Sequence, residues 1–450
     1  MVLSAGTWSP SRTTLQRPLM VILCAFFVAT LQFTYAFMDA PSFRFMGLRL
    51  KHLDPFWTVL GFLMALAPSL WMPIELKRPS QVAYWILYLC VIVPVMWVPY
   101  HTVNEPPENY LMFSGTMLLC FFLLGFSHRL SRWHVPRIDM TTSTFTTCLV
   151  ALVILMSIAV WSTNGFRLDV GLRSIYTRRR ESKESIAMGS ILSYVKGNLA
   201  SAVQPYTFAV GLATKSWLLI LLSLAAGVIG FSVDGSKTSA MIPVFLLALY
   251  PLITKGRSRF GPIVVTMAIV GVLLAYFGWV ASKNPWIPVV TTWRLFDVKG
   301  LLSGYYWQYF SSHPPTLLGD GFLRAFSNYP YQYAASEQIG LVYFGSAQTN
   351  SNSNLWSSAY GDFGYIGMYI VTAVLFMIFR LIDSLSLNRG FLIPAFLCSF
   401  LGMKLSDVAL DTSILSHGTL VTILLLYVLP PFDERAKKEP RAPVPEAVPA

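Results

Sequence analysis

The residues best suited to chemistry lie in one long polar stretch between Trp293 and Gly367 of an otherwise apolar chain. Arg294 near its start carries a planar, permanently charged guanidinium, which suits phosphate because it donates two parallel hydrogen bonds. Aromatic rings crowd residues 305–310, and rings of this kind stack on the apolar faces of sugars. Asparagines alternate with serines over residues 350–354, and amides both donate to and accept from hydroxyl groups. The stretch therefore predicts a site for a phosphorylated sugar.

Each of these features also has a purely structural interpretation. Aromatic residues form a belt at the interface of many membrane proteins. Asn354 precedes an apolar run and could cap a helix, and His313 stands before two prolines, where turn residues are common. Glycines 361, 364 and 367 are three apart, which predicts a small-residue stripe for close packing of a helix. The functional interpretation depends on their crowding beside Arg294.

The composition predicts an all-α polytopic membrane protein. Hydrophobic residues make up 55% of the 450 residues, charged residues 12%, and the mean hydropathy is +0.57, whereas a soluble domain carries about 25% charge. The net charge of +12 is explained by basic cytoplasmic loops and anionic lipid, so no nucleic-acid partner is expected. The five cysteines lie in or beside apolar runs and are interpreted as core residues.

About twelve apolar runs are long enough to be transmembrane helices. The predicted order is a cytoplasmic amino terminus (1–18), transmembrane helices 1–5 (19–162), a basic periplasmic loop (163–198), transmembrane helices 6–9 (199–281), a large periplasmic loop (282–358), transmembrane helices 10–12 (359–430) and a disordered cytoplasmic tail (431–450).

Short basic loops set this orientation by the positive-inside rule. Several basic residues nevertheless fall on the translocated side, which opposes that bias, and a bound polyanion is the simplest reason. The Arg178–Arg180 run has the alternative of a solvated helix face or a contact to anionic lipid. The candidate anion ligands are Arg173, Arg178, Arg179, Arg180, Lys237 and Arg294.

The order of these short motifs resembles the bacterial O-antigen and exopolysaccharide repeat-unit polymerases. The matching segments are Arg294–Phe296, Gly300–Phe310, His313–Pro314, Leu318–Gly319, Asn350–Trp356 and Gly361–Gly367, with Gly235–Ser239, the arginine-rich residues 173–181 and Thr412–Gly418 at corresponding places. The resemblance covers roughly residues 170–420.

The resemblance implies a membrane glycosyltransferase of GT-C-like architecture that faces the periplasm of a bacterial inner membrane. Donor and acceptor would be glycans on undecaprenyl pyrophosphate, and a chain-length regulator would be a further partner. No metal or other cofactor is implied. Arg173, Arg180 and Arg294 would hold the pyrophosphate; Tyr305, Tyr306, Asn352 and Asn354 would shape the sugar site.

The proton acceptor is open at this point. Among the residues placed outside the membrane, His313 and Glu337 rank ahead of Asp297, Asp320 and Asp362. The predicted catalytic set is therefore Arg294, His313 and Glu337.

Three other functions remain open on the sequence. The related O-antigen ligases, which transfer glycan to lipid A core or to protein, carry a histidine beside the asparagine where this chain has Ser353-Asn354. A non-catalytic transporter of lipid-linked glycan would have charges inside the bundle and evenly divided loops, often with an internal repeat. The last alternative is a membrane protein whose loops only bind a partner.

Overall fold

The computed structural model describes residues 12–136, 138, 140–171, 178, 181–182, 190–235, 237–319, 321 and 327–431. All regular structure within these residues is helical, which confirms the predicted fold class at that level. The chain forms two compact units. The first contains residues 1–131, 248–379 and 398–415, and the second contains residues 132–247, 380–397 and 416–450.

Seven helices of the described chain are long and apolar enough to cross a membrane, which indicates a membrane-embedded protein. They are Gln16–Ser42, Ser80–Thr102, Pro107–His128, Thr142–Ser162, Trp217–Asp234, Arg257–Ser282 and Leu355–Leu385. Three shorter apolar helices are Pro55–Leu70, Met241–Thr254 and Leu392–Leu405. The count of twelve spans stays a prediction.

The α-helices up to residue 162 are α1 (Arg12–Thr34), α2 (Ala40–Ser42), α3 (Pro55–Leu66), α4 (Ser80–Leu87), α5 (Val93–Val95), α6 (Val98–Thr102), α7 (Pro107–Gly125) and α8 (Thr142–Ser162). Those from 191 to 290 are α9 (Ile191–Asn198), α10 (Gln204–Thr214), α11 (Trp217–Asp234), α12 (Lys237–Thr254), α13 (Phe260–Ser282) and α14 (Trp286–Val290). The remaining ones are α15 (Val298–Phe310), α16 (Ala335–Phe344), α17 (Leu355–Leu385), α18 (Leu392–Leu405), α19 (Leu410–Leu415) and α20 (Thr419–Tyr427).

Helix α15 is the central element of the first unit, and almost all of its residues are buried. A Cβ added at Gly300 would lie 2.6 Å from Val98, and one at Gly304 would lie 2.7 Å from Val103. The two glycines are one helical turn apart and meet the start of α6 and the residue just after its end. Small residues therefore let α15 approach α6 closely, and the two helices run in the same direction.

This packing concerns the segment predicted as a large periplasmic loop (282–358). The segment contains α14, a π-helical turn at Trp293–Asp297, α15 and α16. Residues 298–310 combine small residues on the contact face with apolar and aromatic residues around the rest, so they can be buried on every side. Polar atoms of these residues find partners inside the unit, which the polar character of the sequence did not indicate.

Helix α17 is a helical hairpin rather than one rod. Phe363 (φ −142°, ψ 20°) and Gly364 (φ 61°, ψ −146°) leave helical geometry. Trp356 on the first arm donates its indole N–H to Thr372 on the second arm at 2.9 Å. The predicted stripe of glycines on one helix face is therefore absent here, because Gly364 forms the reversal and Gly361 packs against Phe310.

Candidate functional site

Arg294 lies on the π-helical turn that precedes α15. Such turns are short, irregular insertions that occur often at functional sites. The residue is exposed, while packing around its guanidinium lowers its pKa below the usual value. This combination fits a side chain in an open recess. No hydrogen bond or ion pair joins Arg294 to another residue in the described part of the chain, so its donors are free for an anion.

A second cation lies beside it at the start of α15. Lys299 is only 4% exposed and forms an ion pair with Asp407. Burial, and then the charges of Arg294 and Lys404, lower the pKa of Lys299 to about 7. The side chain of Asp407 is 38% exposed, so this carboxylate has a solvent-facing part next to Lys299.

A pair of buried carboxyl groups lies inside the first unit at this π-helical turn. Asp39 and Asp297 are fully buried and lie within hydrogen-bonding distance of each other. Burial first, and then the neighbouring Asp39, raise the pKa of Asp297 well above its usual range. The raised pKa favours the neutral, protonated form of Asp297, and Thr292 donates to Asp39 at 2.9 Å.

The structure does not bring His313 or Glu337 to Arg294. His313 follows the far end of α15, where its ring stacks on Tyr309. Glu337 lies on α16, whose next residue, Gln338, donates to the Tyr309 hydroxyl at 3.1 Å. The helical run from Arg294 to Tyr309 is about 22 Å long at ~1.5 Å per residue. Sequence reasoning could not foresee this separation because it treated the segment as a loop.

The predicted sugar-site tyrosines are packed inside the unit. Tyr305 is 6% and Tyr306 3% exposed. One face of Tyr305 is covered by Tyr343, with ring centroids 4.0 Å apart, and its hydroxyl lies against Gly47. Direct stacking of a sugar on Tyr305 would require Tyr343 to move.

The two predicted asparagines have different environments. Asn354 is fully buried, accepts hydrogen bonds from the backbone N–H groups of Trp356 and Ser357, and donates to Ser303 at 2.7 Å. It is the cap of α17, as its alternative interpretation predicted. Asn352 is exposed, and its amide has no protein partner among the described residues.

Only some of the basic candidates of the second unit lie within the described residues. Arg178 is 5% exposed and donates to the backbone oxygens of Asp169, Gly171 and Phe231. These contacts link the backbone at Asp169, Gly171 and Phe231, which gives Arg178 a structural role. Lys237 begins α12, but its side chain lies outside the described residues, as do Arg173, Arg179 and Arg180. Asp320, a further candidate base, is also outside them, and Asp362 accepts a hydrogen bond from Thr316.

Sequence reasoning missed Asp39 and Asp407. The sequence did contain a signal for these two aspartates, because ionisable residues next to apolar spans of membrane proteins are usually functional or paired. In the part of the chain that the structure describes, no group of three or more His, Cys, Asp or Glu side chains could hold a metal ion.

No protein-family profile, curated protein or solved structure matches this chain. Its function has to be inferred from its own residues and their arrangement.

Proposed function

We propose that this protein is a membrane glycosyltransferase that joins lipid-linked oligosaccharide repeat units into a polysaccharide on the periplasmic side of a bacterial inner membrane. The observation that carries the proposal is Arg294, an exposed guanidinium without a protein counter-ion in the described residues, beside the buried cation Lys299. Two adjacent cations in an apolar, membrane-type bundle fit a diphosphate. Aromatic rings and amides at the other end of the same helix fit a glycan attached to it.

In the proposed reaction, a sugar hydroxyl of the acceptor attacks the anomeric carbon of the donor. A new carbon–oxygen bond forms, the bond to the pyrophosphate breaks, and the leaving group keeps the electron pair. Negative charge grows on its oxygen in an oxocarbenium-like transition state. Arg294 placed at that oxygen lowers the barrier because it binds the transition state more strongly than the ground state. The hydroxyl proton passes to a general base.

Asp407 is the proposed base. It is the carboxylate paired with Lys299, and its partial exposure leaves an oxygen accessible from solvent. His313 and Glu337, at the other end of α15, are too distant from Arg294 to act at the same carbon.

Two observations favour a polymerase over the alternatives. A ligase of the related kind would carry a histidine where this chain has Ser353, and Ser353 is 2% exposed beside the buried cap Asn354, which leaves no room for an acceptor there. A transporter would not need an unpaired arginine beside a lysine that is paired with a partly exposed carboxylate. The polymerase uses both groups.

The test is complementation of a deletion strain with the intact gene, Arg294→Ala or Asp407→Asn, with the surface glycan resolved on a gel. We expect the deletion to leave lipid A core with one repeat unit and the intact gene to restore a ladder. Loss of a transition-state donor lowers the rate by about a hundredfold to a thousandfold, so Arg294→Ala should give no ladder at normal membrane levels.

Arg259→Ala is the matched control, because Arg259 is also exposed but follows α12 in a predicted cytoplasmic loop. It should restore the full ladder. A full ladder from Arg294→Ala would refute the site. A deletion strain that accumulates long chains on the carrier lipid, with bare lipid A core, would identify a ligase instead.

A further inference from the structure

Two aromatic stacks of the same geometry lie along the carboxyl-terminal half of α15. Tyr305 stacks on Tyr343 and Tyr309 stacks on His313, each with ring centroids 4.0 Å apart and ring planes 9° apart. Tyr305 and Tyr309 are four residues apart, so they are neighbours on one helix face, and both are buried. The outer ring of each stack is the more accessible one: Tyr343 is half-buried and His313 is exposed.

Hydrogen bonds hold these rings in place. The Tyr343 hydroxyl donates to Gln308 at 3.2 Å, and Gln338 donates to the Tyr309 hydroxyl at 3.1 Å. His313 Nδ1 lies 2.9 Å from the backbone oxygen of Tyr309. The rings are therefore preorganised, with amide groups beside them, so little ordering is required on binding.

A third accessible ring completes the surface. Tyr331 is half-buried, its centroid lies 5.9 Å from that of Tyr309, and its hydroxyl donates to the backbone oxygen of Pro314. We call His313, Tyr331 and Tyr343 the ring platform. Flat apolar faces next to amides and hydroxyls match a carbohydrate, whose rings have apolar faces and hydroxyl edges.

We propose that the ring platform binds sugars of the polysaccharide that lie several units away from the linkage being formed. This inference rests on the proposed function, which puts the diphosphate at Arg294. The platform begins beside Tyr305, about 17 Å along the helical run from Arg294 at ~1.5 Å per residue, which exceeds the length of one sugar. A glycan held at both ends of α15 dissociates less readily between additions, so the platform favours long products.

The first test compares product lengths in the complemented deletion strain. His313→Ala and Tyr343→Leu should shift the ladder to shorter chains. His313→Phe keeps a stacking ring but has no titratable nitrogen, so it should restore long chains. Loss of the whole ladder in His313→Phe would overturn the platform role, because a base would then be the better explanation of His313.

The second test measures binding directly. The probe is the source strain's own surface polysaccharide, cleaved to fragments of one to four repeat units, freed of lipid and phosphate, and added to the detergent-purified full chain. We expect the longer fragments to bind, and His313→Ala to weaken binding about tenfold, in keeping with loss of one stacked ring. Trp217→Ala, which removes a ring that is 74% exposed on α11, should bind as the intact protein does.

The two proposals can fail separately. Fragment binding that is unchanged in both His313→Ala and Tyr343→Leu would overturn the platform even if the intact gene restores a ladder. If deletion leaves the ladder intact, the polymerase proposal fails, and fragment binding lost in the platform variants would still establish a glycan-binding surface.

Discussion

Lys299 and Asp407 form an ion pair whose two members differ in exposure, with side chains 5% and 38% exposed. Removal of the carboxylate leaves a buried cation without a counter-charge, which costs about 3 kcal/mol or more. Removal of the lysine leaves a carboxylate that water can reach. We therefore expect Asp407→Asn to lower the thermal unfolding temperature in detergent more than Lys299→Met does. Equal losses would contradict the buried position of Lys299.

The pH dependence of Asp407→Asn gives a second measurement on the same variant. The folded-state pKa of Lys299 is about 7, against 10.5 in an unfolded chain. Between these values the unfolded state binds more protons, so a higher pH favours the folded state. Without Asp407 the pKa of Lys299 falls below about 7, so just below pH 7 the variant has lost the Lys299 proton while the intact protein still holds it. The difference in unfolding temperature between Asp407→Asn and the intact protein should therefore narrow as the pH rises to about 7 and stay constant above it. A difference that keeps narrowing from pH 7 to pH 10 would exclude Lys299 as the titrating group.

For single residues, the sequence identifies candidates but not the side chains with which they pair. Arg294 could be chosen from its type and its aromatic neighbours. The ion pair of Lys299 and the carboxyl pair of Asp297 could not, because Asp407 and Asp39 are far away along the chain. A sequence pattern reports nearby residues, whereas charge compensation inside a bundle depends on which helices touch.

The start of α17 depends on one side chain. Asn354 accepts from two backbone N–H groups and donates to Ser303 and Ser357 in a buried cluster. Asn354→Ala should lower stability by about 2 kcal/mol, since loss of a cap costs ~1 kcal/mol and unsatisfied buried groups add to it. Asn352→Ala, two residues earlier at an exposed position, should leave the unfolding temperature unchanged. A loss of similar size in both variants would show that Asn352 is also structural.

The reversal inside α17 depends on a backbone conformation that glycine tolerates. Gly364 has φ 61° and ψ −146°, a region that side chains avoid at a cost of about 1–3 kcal/mol. A Cβ there would meet no atom within 4 Å, so the cost of Gly364→Ala is conformational and not steric. We expect a lower unfolding temperature. Gly271→Ala in the middle of α13, where a Cβ also meets nothing, is the control and should be neutral or stabilising.

The hairpin also shows a limit on predicting helices from the sequence. Apolar composition predicts membrane-type helices, and seven helices of the described residues are long and apolar enough to span a bilayer, where all backbone groups have to be satisfied within the helix. Phe363 and Gly364 reverse the chain between a short arm that contains Ser357, Ser358 and Asp362 and a long apolar arm. The change in composition marks where the apolar run begins, but it does not tell whether the helix continues straight or reverses there.

At the scale of the whole molecule, the direction of the chain between residues 282 and 332 decides which side the ring platform faces. Helix α13 ends at Ser282, and Ile287 of α14 comes back beside Gly278, 3.5 Å from a Cβ built there. Helix α15 then runs back towards the side on which α13 ends. Phe310, its last residue, packs against Gly361. The segment 286–310 therefore enters the first unit and returns without crossing it.

This path predicts that Asn284 and Gln332 lie on the same side of the membrane and Lys255 on the other. All three are exposed, and the apolar helix Arg257–Ser282 separates Lys255 from Asn284. Cysteines introduced singly at these positions, in a chain whose five native cysteines are replaced, would be labelled with a membrane-impermeant maleimide. Under the proposed orientation, Asn284→Cys and Gln332→Cys react in intact spheroplasts, and Lys255→Cys reacts only after permeabilisation. Opposite labelling of positions 284 and 332 would mean that residues 286–310 cross the membrane, and the ring platform would then face away from a periplasmic glycan.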